Sequence, residues 1–306
     1  MITTSITDMG AITPILYEGL VPVFADVDRS TGNLTAGSIA ARLGPGTSAV
    51  VVTHLFGRPC EMGAIQELLE PRGIPVVEDC AQAYLAEWQG RRVGTFGAIN
   101  AFSMQQGKHM TSGEGGLVVT EREDLAERAR VFVNKAWPYG RADPDHLFLA
   151  LNYRLTELQG AVALGQLGKL EQNVRCRQET AGRLTSGLAG LEGLDLPGPP
   201  QDGTHAYWRY CIGVDPDRAG EVGALGARLR ARGIACAPRY IQKPAFECKV
   251  LRDRLAGQEH PREEFPGTYG MLERALVLPW NEAYEEIHVQ RIQSEIQRAV
   301  QGSGTE

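Results

Sequence analysis

The sequence has no block of lysine and arginine, and its formal net charge over 306 residues is −6. This charge balance gives no reason to expect binding to nucleic acid or to an anionic membrane surface. The chain also has no apolar run of membrane-spanning length, and Met1–Ser5 lacks the basic and apolar regions that begin a signal peptide. These absences predict a cytoplasmic protein with no nucleic-acid or membrane partner.

Cysteine and histidine each occur six times, but neither forms a recognisable ligand pattern. The cysteines, at positions 60, 80, 176, 211, 236 and 248, include no C-x-x-C pair and no framework spacing. The histidines form no H-x-x-x-H or H-E-x-x-H pattern. We therefore expect reduced thiols and no metal site.

The first half of the sequence alternates short β-branched runs with helical patterns. The predicted strands are 21–26, 49–54 and 74–79, and the predicted helices are 38–43 and 61–71. Near-continuous apolar strands separated by helices indicate a parallel sheet that is covered on both faces. The predicted fold class is therefore α/β, with a three-layer, mostly parallel sheet and helices on both faces. Such sheets bind ligands at the carboxyl ends of their strands, where we expect His54 and Asp79.

A long helix is predicted to follow Thr156, whose side chain can form a capping box with Gln159. The segment 196–203 is rich in proline and glycine, which is typical of a linker. The strand and helix patterns beyond it indicate a smaller α+β domain. We predict a large domain over 1–190, including the long helix, and a small C-terminal domain over 191–306 whose last five residues are frayed.

Lys108 lies in a polar, glycine-rich loop between two apolar runs, Ala101–Phe102 and Leu117–Val119. A lysine held near the ends of buried strands suits imine chemistry with an aldehyde cofactor. An unperturbed lysine, with a pKa of about 10.4, is protonated at neutral pH. Burial or a cationic neighbour must therefore lower its pKa. A solvated loop lysine is the alternative interpretation of this residue.

Three further residues could complete a site for a pyridine-aldehyde cofactor. Asp79 could face the ring nitrogen and keep it protonated, and Gln82 could reach the ring or its phenolic oxygen. Ser103 and the backbone near Gly113 could donate hydrogen bonds to a phosphate. Taken singly, Asp79 could be a helix N-cap and Ser103 a strand-end serine. The three segments together favour the cofactor site.

These segments resemble the DegT/StrS family of fold type I pyridoxal-phosphate sugar aminotransferases. The resemblance rests on Asp79-Cys80-Ala81-Gln82, on Ser103 five residues before Lys108, on Gly113-Glu114-Gly115-Gly116, and on Asn152-Tyr153-Arg154 with its helix. It extends over nearly the whole chain, from 16–19 and 22–24 through 54–57 to 278–279.

The resemblance implies a role for each of these residues. Lys108 would form the imine with pyridoxal 5′-phosphate and carry protons between the cofactor and the substrate carbon. Asp79 would pair with the pyridinium nitrogen, Gln82 would lie beside the ring, and Ser103 would bind the phosphate. Asn152 would reach the phosphate of the neighbouring subunit, which implies a homodimer with shared active sites. A family branch with histidine at the lysine position dehydrates sugars, so Lys108 favours transamination.

Two departures from the family pattern concern the cofactor site. Family members usually begin with a further helical segment and a Gly/Ser/Thr-rich turn that holds the phosphate. We therefore expect a shortened large domain: either the start of the chain is truncated or misassigned, or the phosphate cup is incomplete. Asp8 occupies the position where the family often has an aromatic ring stacked on the cofactor, and an acidic side chain cannot make that contact.

The sequence thus predicts an aminotransferase that moves an amino group from glutamate or glutamine to a keto-sugar. The acceptor would be a nucleotide sugar or a cyclitol ketone in sugar or secondary-metabolite biosynthesis. His54, Arg239 and Tyr240 are candidate substrate contacts, and packing in the small domain is an equal alternative for Tyr240. Two other functions remain open: a non-catalytic family member that acts as a binding or partner subunit, and a pyridoxal-phosphate-dependent sugar dehydratase or eliminase.

Overall fold

The computed structural model describes residues 1–301. The predicted fraying of 302–306 lies outside these described residues. No helix within 1–301 is both long enough and apolar enough to cross a membrane.

Strands and helices alternate through residues 2–79, in the predicted order, and four more strands follow before the next helix. Within residues 1–301 the strands are β1 (Ile2–Thr4), β2 (Val23–Ala25), β3 (Val50–Thr53), β4 (Val76–Asp79), β5 (Glu87–Trp88), β6 (Arg91–Arg92), β7 (Ile99–Ser103), β8 (Gly116–Val119), β9 (Leu194–Asp195), β10 (Gly203–Thr204), β11 (Arg209–Val214), β12 (Ala237–Pro238) and β13 (Ala275–Pro279). The α-helices are α1 (Thr13–Tyr17), α2 (Ala36–Ala40), α3 (Met62–Leu69), α4 (Glu123–Phe132), α5 (Glu157–Leu188), α6 (Pro216–Ala219), α7 (Val222–Ala231), α8 (Lys249–Arg254), α9 (Pro266–Arg274) and α10 (Glu286–Gln301). Short 3-10 helices lie at Met9–Ala11, Leu55–Gly57, Glu70–Arg72, Ala245–Glu247 and Arg262–Glu264.

The central sheet has six strands in the order β2-β1-β3-β4-β7-β8. Its strands are parallel except β8, which runs antiparallel to β7. Every residue of β3 is buried, as expected for a valine-rich strand covered on both faces. The register pairs Thr53 with Asp79 and Asp79 with Ala101, so the carboxyl ends of β3, β4 and β7 lie at one edge. This mainly parallel sheet with its helices confirms the predicted α/β fold.

Helix α5 begins where the sequence predicts. The backbone N–H of Gln159 donates to Thr156 Oγ1 at 3.2 Å, and the N–H of Thr156 donates to the Gln159 side chain at 3.1 Å. These two bonds complete the capping box. The buried residues of α5 begin only at Leu170, so the helix packs on the core through its second half.

A second sheet, in the order β12-β13-β11-β9, lies within the second half of the chain. It packs with α7 and α10 around an apolar cluster that includes Tyr210 and Trp280. Many contacts tie this half to the first: for example, Phe246 packs against Phe24, the Thr268 hydroxyl donates to the Asp26 carboxylate, and β10 pairs with β5. The boundary between 190 and 191 therefore stays a prediction.

Strand β8 and the start of α5 carry exposed apolar side chains. Strand β8 pairs on one side only, with β7, and its large side chains are 38–54% exposed. The start of α5 adjoins it, because the Gln159 amide donates to the Glu114 carbonyl at 2.9 Å. We use the name β8–α5 surface for the exposed apolar residues of these two elements, which lie on both faces of β8 and on opposite sides of α5: Leu117, Val118, Val119, Leu158, Val162, Leu164 and Leu167. Exposed apolar patches of this kind mark sites of contact with other surfaces.

Candidate active site

Four of the predicted residues line one cavity at the carboxyl edge of the central sheet. The cavity has a volume of about 590 Å³, and its walls include Asp79, Gln82, Ser103 and Lys108. This volume suits a small-molecule ligand, for which pockets of roughly 300–1,000 Å³ are usual. Strand order explains the arrangement, because β4 and β7 are neighbours and end at Asp79 and Ser103.

Lys108 lies partly buried on the loop between β7 and β8. Burial lowers the pKa of its amine, while the carboxylates of Asp79 and Asp8 act to raise it and Arg209 acts to lower it. The balance is a lowered pKa, so more of Lys108 carries the free, nucleophilic amine than an exposed lysine would. This position does not fit a solvated loop lysine.

Asp79 ends β4 and brings a carboxylate to the cavity. Its Oδ1 accepts from the N–H of Ala81 at 3.1 Å, and its Oδ2 accepts from the Thr53 hydroxyl at 3.2 Å. Burial raises the pKa of Asp79, against the effect of these two hydrogen bonds and of the positive charge of Lys108. A cation placed against the carboxylate would favour its ionised form. Sequence analysis missed Thr53, for which the only signal is its position beside Asp79 in the strand register.

Gln82 joins the cavity wall to a strained turn after β3. Its Oε1 accepts from the N–H of Phe56 at 2.7 Å, and Phe56 has a φ of 55°, which bulky residues rarely adopt. Gly57 follows with a φ of 98°, and a Cβ there would lie 2.8 Å from the Gln82 carbonyl oxygen. Only glycine fits this close approach, so the turn fixes the place of Gln82.

Ser103 lies where β7 passes into the loop that carries Lys108. Its Oγ accepts from the N–H of Gln105 at 3.3 Å, and its carbonyl accepts from the Tyr84 hydroxyl at 3.1 Å. A serine hydroxyl can donate while it accepts. Ser103 can therefore donate a hydrogen bond into the cavity.

Asp8 also lines the cavity. Its Oδ1 accepts from the N–H of Gly10 at 2.8 Å and so caps the short 3-10 helix that follows. The carboxylate adds a second negative charge near Lys108. Asp8 thus contributes charge, and not an aromatic ring, to the cavity.

His54 is buried behind the cavity wall. Its side chain has no exposed surface, its Nδ1 accepts from the N–H of Cys60, and its Nε2 lies 3.0 Å from Glu78 Oε2. Because Nδ1 is an acceptor, Nε2 carries the proton and donates to Glu78. The structure corrects the expectation that His54 contacts substrate, since a side chain without exposed surface cannot reach one.

Glu78 is the centre of this buried group. Besides His54, its carboxylate accepts from the N–H groups of Gly94, Phe96 and Gly97 at 2.8, 2.7 and 2.7 Å. Burial alone would raise the pKa of Glu78, but the bonds from His54 and the backbone outweigh burial, and its pKa lies below the usual value. We call Glu78 and these four partners the Glu78 cluster. It joins the ends of β3 and β4 to the loop before β7.

Arg239 and Tyr240 are neighbours that face different parts of the molecule. Arg239 lines a separate cavity of about 1370 Å³, together with Arg29 and Arg274. Arg239 is therefore not among the walls of the Lys108 cavity, and its contact with substrate stays a prediction. The ring of Tyr240 lies 6.3 Å from that of Phe56 and is 44% exposed, so both packing and substrate contact remain open to it.

Asn152 lies on the surface outside the Lys108 cavity. Its Oδ1 accepts from the N–H of Arg154 at 3.2 Å, and its backbone forms an isolated bridge with Asn134. Its neighbours Leu151 and Tyr153 are 65% and 56% exposed. Within one subunit, Asn152 therefore takes no part in the cavity.

Comparison with known proteins identifies the family. The sequence pattern of the DegT/DnrJ/EryC1/StrS aminotransferase family matches residues 1–297. Spore coat polysaccharide biosynthesis protein SpsC of Bacillus subtilis (strain 168) is 32% identical over 234 residues, which cover 72% of this chain but only 59% of SpsC. The UDP-N-acetyl-3-dehydro-alpha-D-glucosamine 3-aminotransferase of Acidithiobacillus ferrooxidans is 32% identical over 304 residues, which cover 99% of this chain and 78% of that protein. The crystal structure of the aminotransferase TlmJ from Streptoalloteichus hindustanus superposes with a TM-score of 0.87 at 31% identity, over 99% of this chain and 80% of TlmJ. The chain belongs to the DegT/DnrJ/EryC1/StrS aminotransferase family.

Proposed function

We propose that the protein is a pyridoxal 5′-phosphate-dependent aminotransferase that transfers an amino group from glutamate or glutamine to a keto-sugar. The observation that carries this proposal is that Lys108, Asp79, Gln82 and Ser103 line one cavity. The names of two similar proteins support a sugar acceptor: one belongs to polysaccharide biosynthesis, and the other aminates a nucleotide sugar. The proposed acceptor is a nucleotide sugar or a cyclitol ketone. The proposed compartment is the cytoplasm, where the six free cysteines would stay reduced.

The side chains of the cavity fit pyridoxal phosphate. The carboxylate of Asp79 has two protein donors, and a protonated ring nitrogen would stabilise its ionised form. Ser103 offers a hydroxyl donor for the phosphate, and Lys108 offers an amine whose pKa is lowered. When bound, pyridoxal phosphate supplies an electron sink for charge that develops at the carbon bearing the transferred nitrogen.

Each side chain then has a distinct task. Lys108 would hold the cofactor through its amine and, when free, would move the transferred proton on its Nζ. Asp79, fixed by the N–H of Ala81 and the hydroxyl of Thr53, would keep the ring nitrogen protonated. Gln82, fixed by its bond to Phe56, would orient the ring from the cavity wall.

Amino transfer can be tested without knowing the sugar. The protein loaded with pyridoxal phosphate and mixed with glutamate or glutamine is expected to release the matching 2-oxo acid, in an amount about equal to the cofactor. Only the donor half of the reaction can proceed without an acceptor, so the release should stop there. Mass spectrometry would measure the oxo acid, and the visible absorbance of the lysine-bound cofactor should fade in parallel. Cofactor binding without oxo acid would favour dehydration or elimination, and no cofactor binding would favour the partner-subunit alternative.

We also propose a homodimer in which Asn152 of one subunit contacts the cofactor phosphate of the other. Asn152 is exposed and takes no part in the cavity of its own subunit. The β8–α5 surface offers exposed apolar side chains on the same half of the molecule, and burial of such side chains stabilises subunit contacts.

Mixing two inactive variants tests the shared site. Subunits with Lys108→Ala and subunits with Asn152→Ala, produced together, are expected to recover about a quarter of wild-type activity. Half of the dimers would be mixed, and each mixed dimer would have one intact site and one doubly defective site. Activity would be measured on the whole mixture and on the mixed dimer isolated by two different affinity tags, for which about half of the wild-type activity is expected. No recovery above the Asn152→Ala protein alone would contradict the shared site.

A further inference from the structure

The segment 205–208 holds the Lys108 loop on both sides of the lysine. Trp208 Nε1–H donates to the Gly107 carbonyl at 2.7 Å. On the other side, His109 Nε2 lies 2.9 Å from the Ala206 carbonyl. Burial lowers the pKa of His109 to about 3, so its ring is neutral at physiological pH and its Nε2–H donates that bond. Lys108 is therefore flanked by two residues that are tied to one distant segment.

The Trp208 ring also contacts the lysine directly. The Nζ of Lys108 lies 4.4 Å from the ring centroid, within the distance at which an ammonium is attracted to an aromatic face. Three charged groups act on the same amine: Asp79 and Asp8 favour its protonated form, and Arg209 opposes it. The Arg209 guanidinium lies 4.4 Å from the same ring centroid. The side-chain cations of Lys108 and Arg209 therefore both lie against the uncharged Trp208 ring.

Trp208 is itself firmly held. It is 8% exposed, and its backbone N–H donates to the Phe56 carbonyl at 2.9 Å. Its ring is nearly parallel to that of Phe56, with centroids 6.4 Å apart. The next residue begins β11, which pairs with β13 in the second sheet. Trp208 therefore connects the second sheet to the loop of Lys108.

We propose that Trp208 is a positioning residue for Lys108. The indole N–H of Trp208 fixes the lysine loop, and its ring face holds the protonated amine when Lys108 is not bonded to the cofactor. The role of the ring during turnover rests on the proposed function. The placement of the amine does not, because it can be measured in the protein without cofactor.

The first measurement uses cofactor-free protein. The rate at which acetic anhydride labels Lys108 is followed against pH by mass spectrometry of the Lys108 peptide. Loss of the ring face in Trp208→Leu is expected to move the midpoint of the profile down by about half a pH unit or more. Labelling below the midpoint would then be about 3-fold faster. Trp208→Phe keeps an aromatic face, so its midpoint should stay near that of the wild type.

The second measurement is the dissociation constant of pyridoxal phosphate, from its visible absorbance. Trp208→Phe loses the bond to Gly107 and is expected to bind the cofactor about 2- to 10-fold more weakly. A wild-type protein that binds no cofactor would refute the proposed function, while the labelling profile would still test the role of Trp208.

Trp88 provides matched controls, because it has the same 8% exposure and its indole N–H has no partner among the described residues. Trp88→Leu and Trp88→Phe should leave the labelling midpoint and the cofactor affinity unchanged. Trp208 variants that match these controls in both measurements would overturn the proposal. If Trp208→Leu does not fold, as judged by urea unfolding, Trp208→Phe decides alone: cofactor affinity equal to that of Trp88→Phe would overturn it.

Discussion

Replacement of Lys108 by alanine is expected to abolish the covalent attachment of pyridoxal phosphate and to slow amino transfer by at least about 1,000-fold. The substitution removes both the nucleophile and the proton carrier, and proton transfer alone contributes about 100- to 10,000-fold in enzymes. The absorbance of the lysine-bound cofactor and the rate of 2-oxo acid release from glutamate or glutamine measure the two effects. Lys108→Arg keeps a positive charge in the cavity, so the same losses in this variant would assign them to the amine itself.

Lys249→Ala is the control for this experiment. The Lys249 side chain is 82% exposed and forms an ion pair with Asp253 at the surface. Its loss should change neither the absorbance nor the rate. If Lys108→Ala kept the lysine-bound absorbance, another lysine would be the attachment site and the assignment of Lys108 would be wrong.

Replacement of Glu78 by alanine is expected to lower the free energy of unfolding by about 3–5 kcal/mol. The change leaves the Nε2–H of His54 and three backbone N–H groups without an acceptor in the interior. Urea unfolding followed by circular dichroism would measure the loss. Cofactor affinity should fall as well, because Asp79 is the next residue on the same strand.

The pH dependence of this effect has a definite sign. The pKa of Glu78 is lower in the folded protein than the usual value of 4.5. Its contribution is therefore fully present above about pH 4.5 and is lost as the pH falls below that value. The stability difference between wild type and Glu78→Ala should shrink in acid. The control is Glu264→Ala, which breaks an exposed ion pair with Arg42 and should cost about 1 kcal/mol or less. Equal losses in the two variants would contradict the role of the Glu78 cluster.

Features set by a single segment were predictable from the sequence. The strand predicted over 74–79 is present as β4, which ends at Asp79 as predicted. The pairing of Thr156 with Gln159 fixed the start of α5, because a capping box is a contact between residues three apart. The loop of Lys108 followed from the change between apolar and glycine-rich composition. In each case the physical cause acts over a few neighbouring residues.

Features that depend on packing between distant segments were not predictable. His54 lies at the end of a strand, as predicted, but no local pattern shows that its side chain points towards Glu78. The cavity that Arg239 lines is formed by elements far apart in sequence. No local pattern around Trp208 shows that its indole N–H donates to the carbonyl of Gly107, 101 residues away.

The order of Glu78 and Asp79 on β4 also bears on how new substrate preferences could be engineered. Side chains alternate between the two faces of a strand. The Glu78 carboxylate therefore binds His54 and backbone N–H groups in the interior, while the Asp79 carboxylate faces the cavity. A mutant library that varied β4 would lose most of its members to unfolding before selection could act. A library that varied Asp8 and Tyr240, which lie outside that strand, would leave the anchor intact. The residue whose loss would unfold the protein thus lies on the sheet, and the residues that could be varied to change substrate preference lie around it.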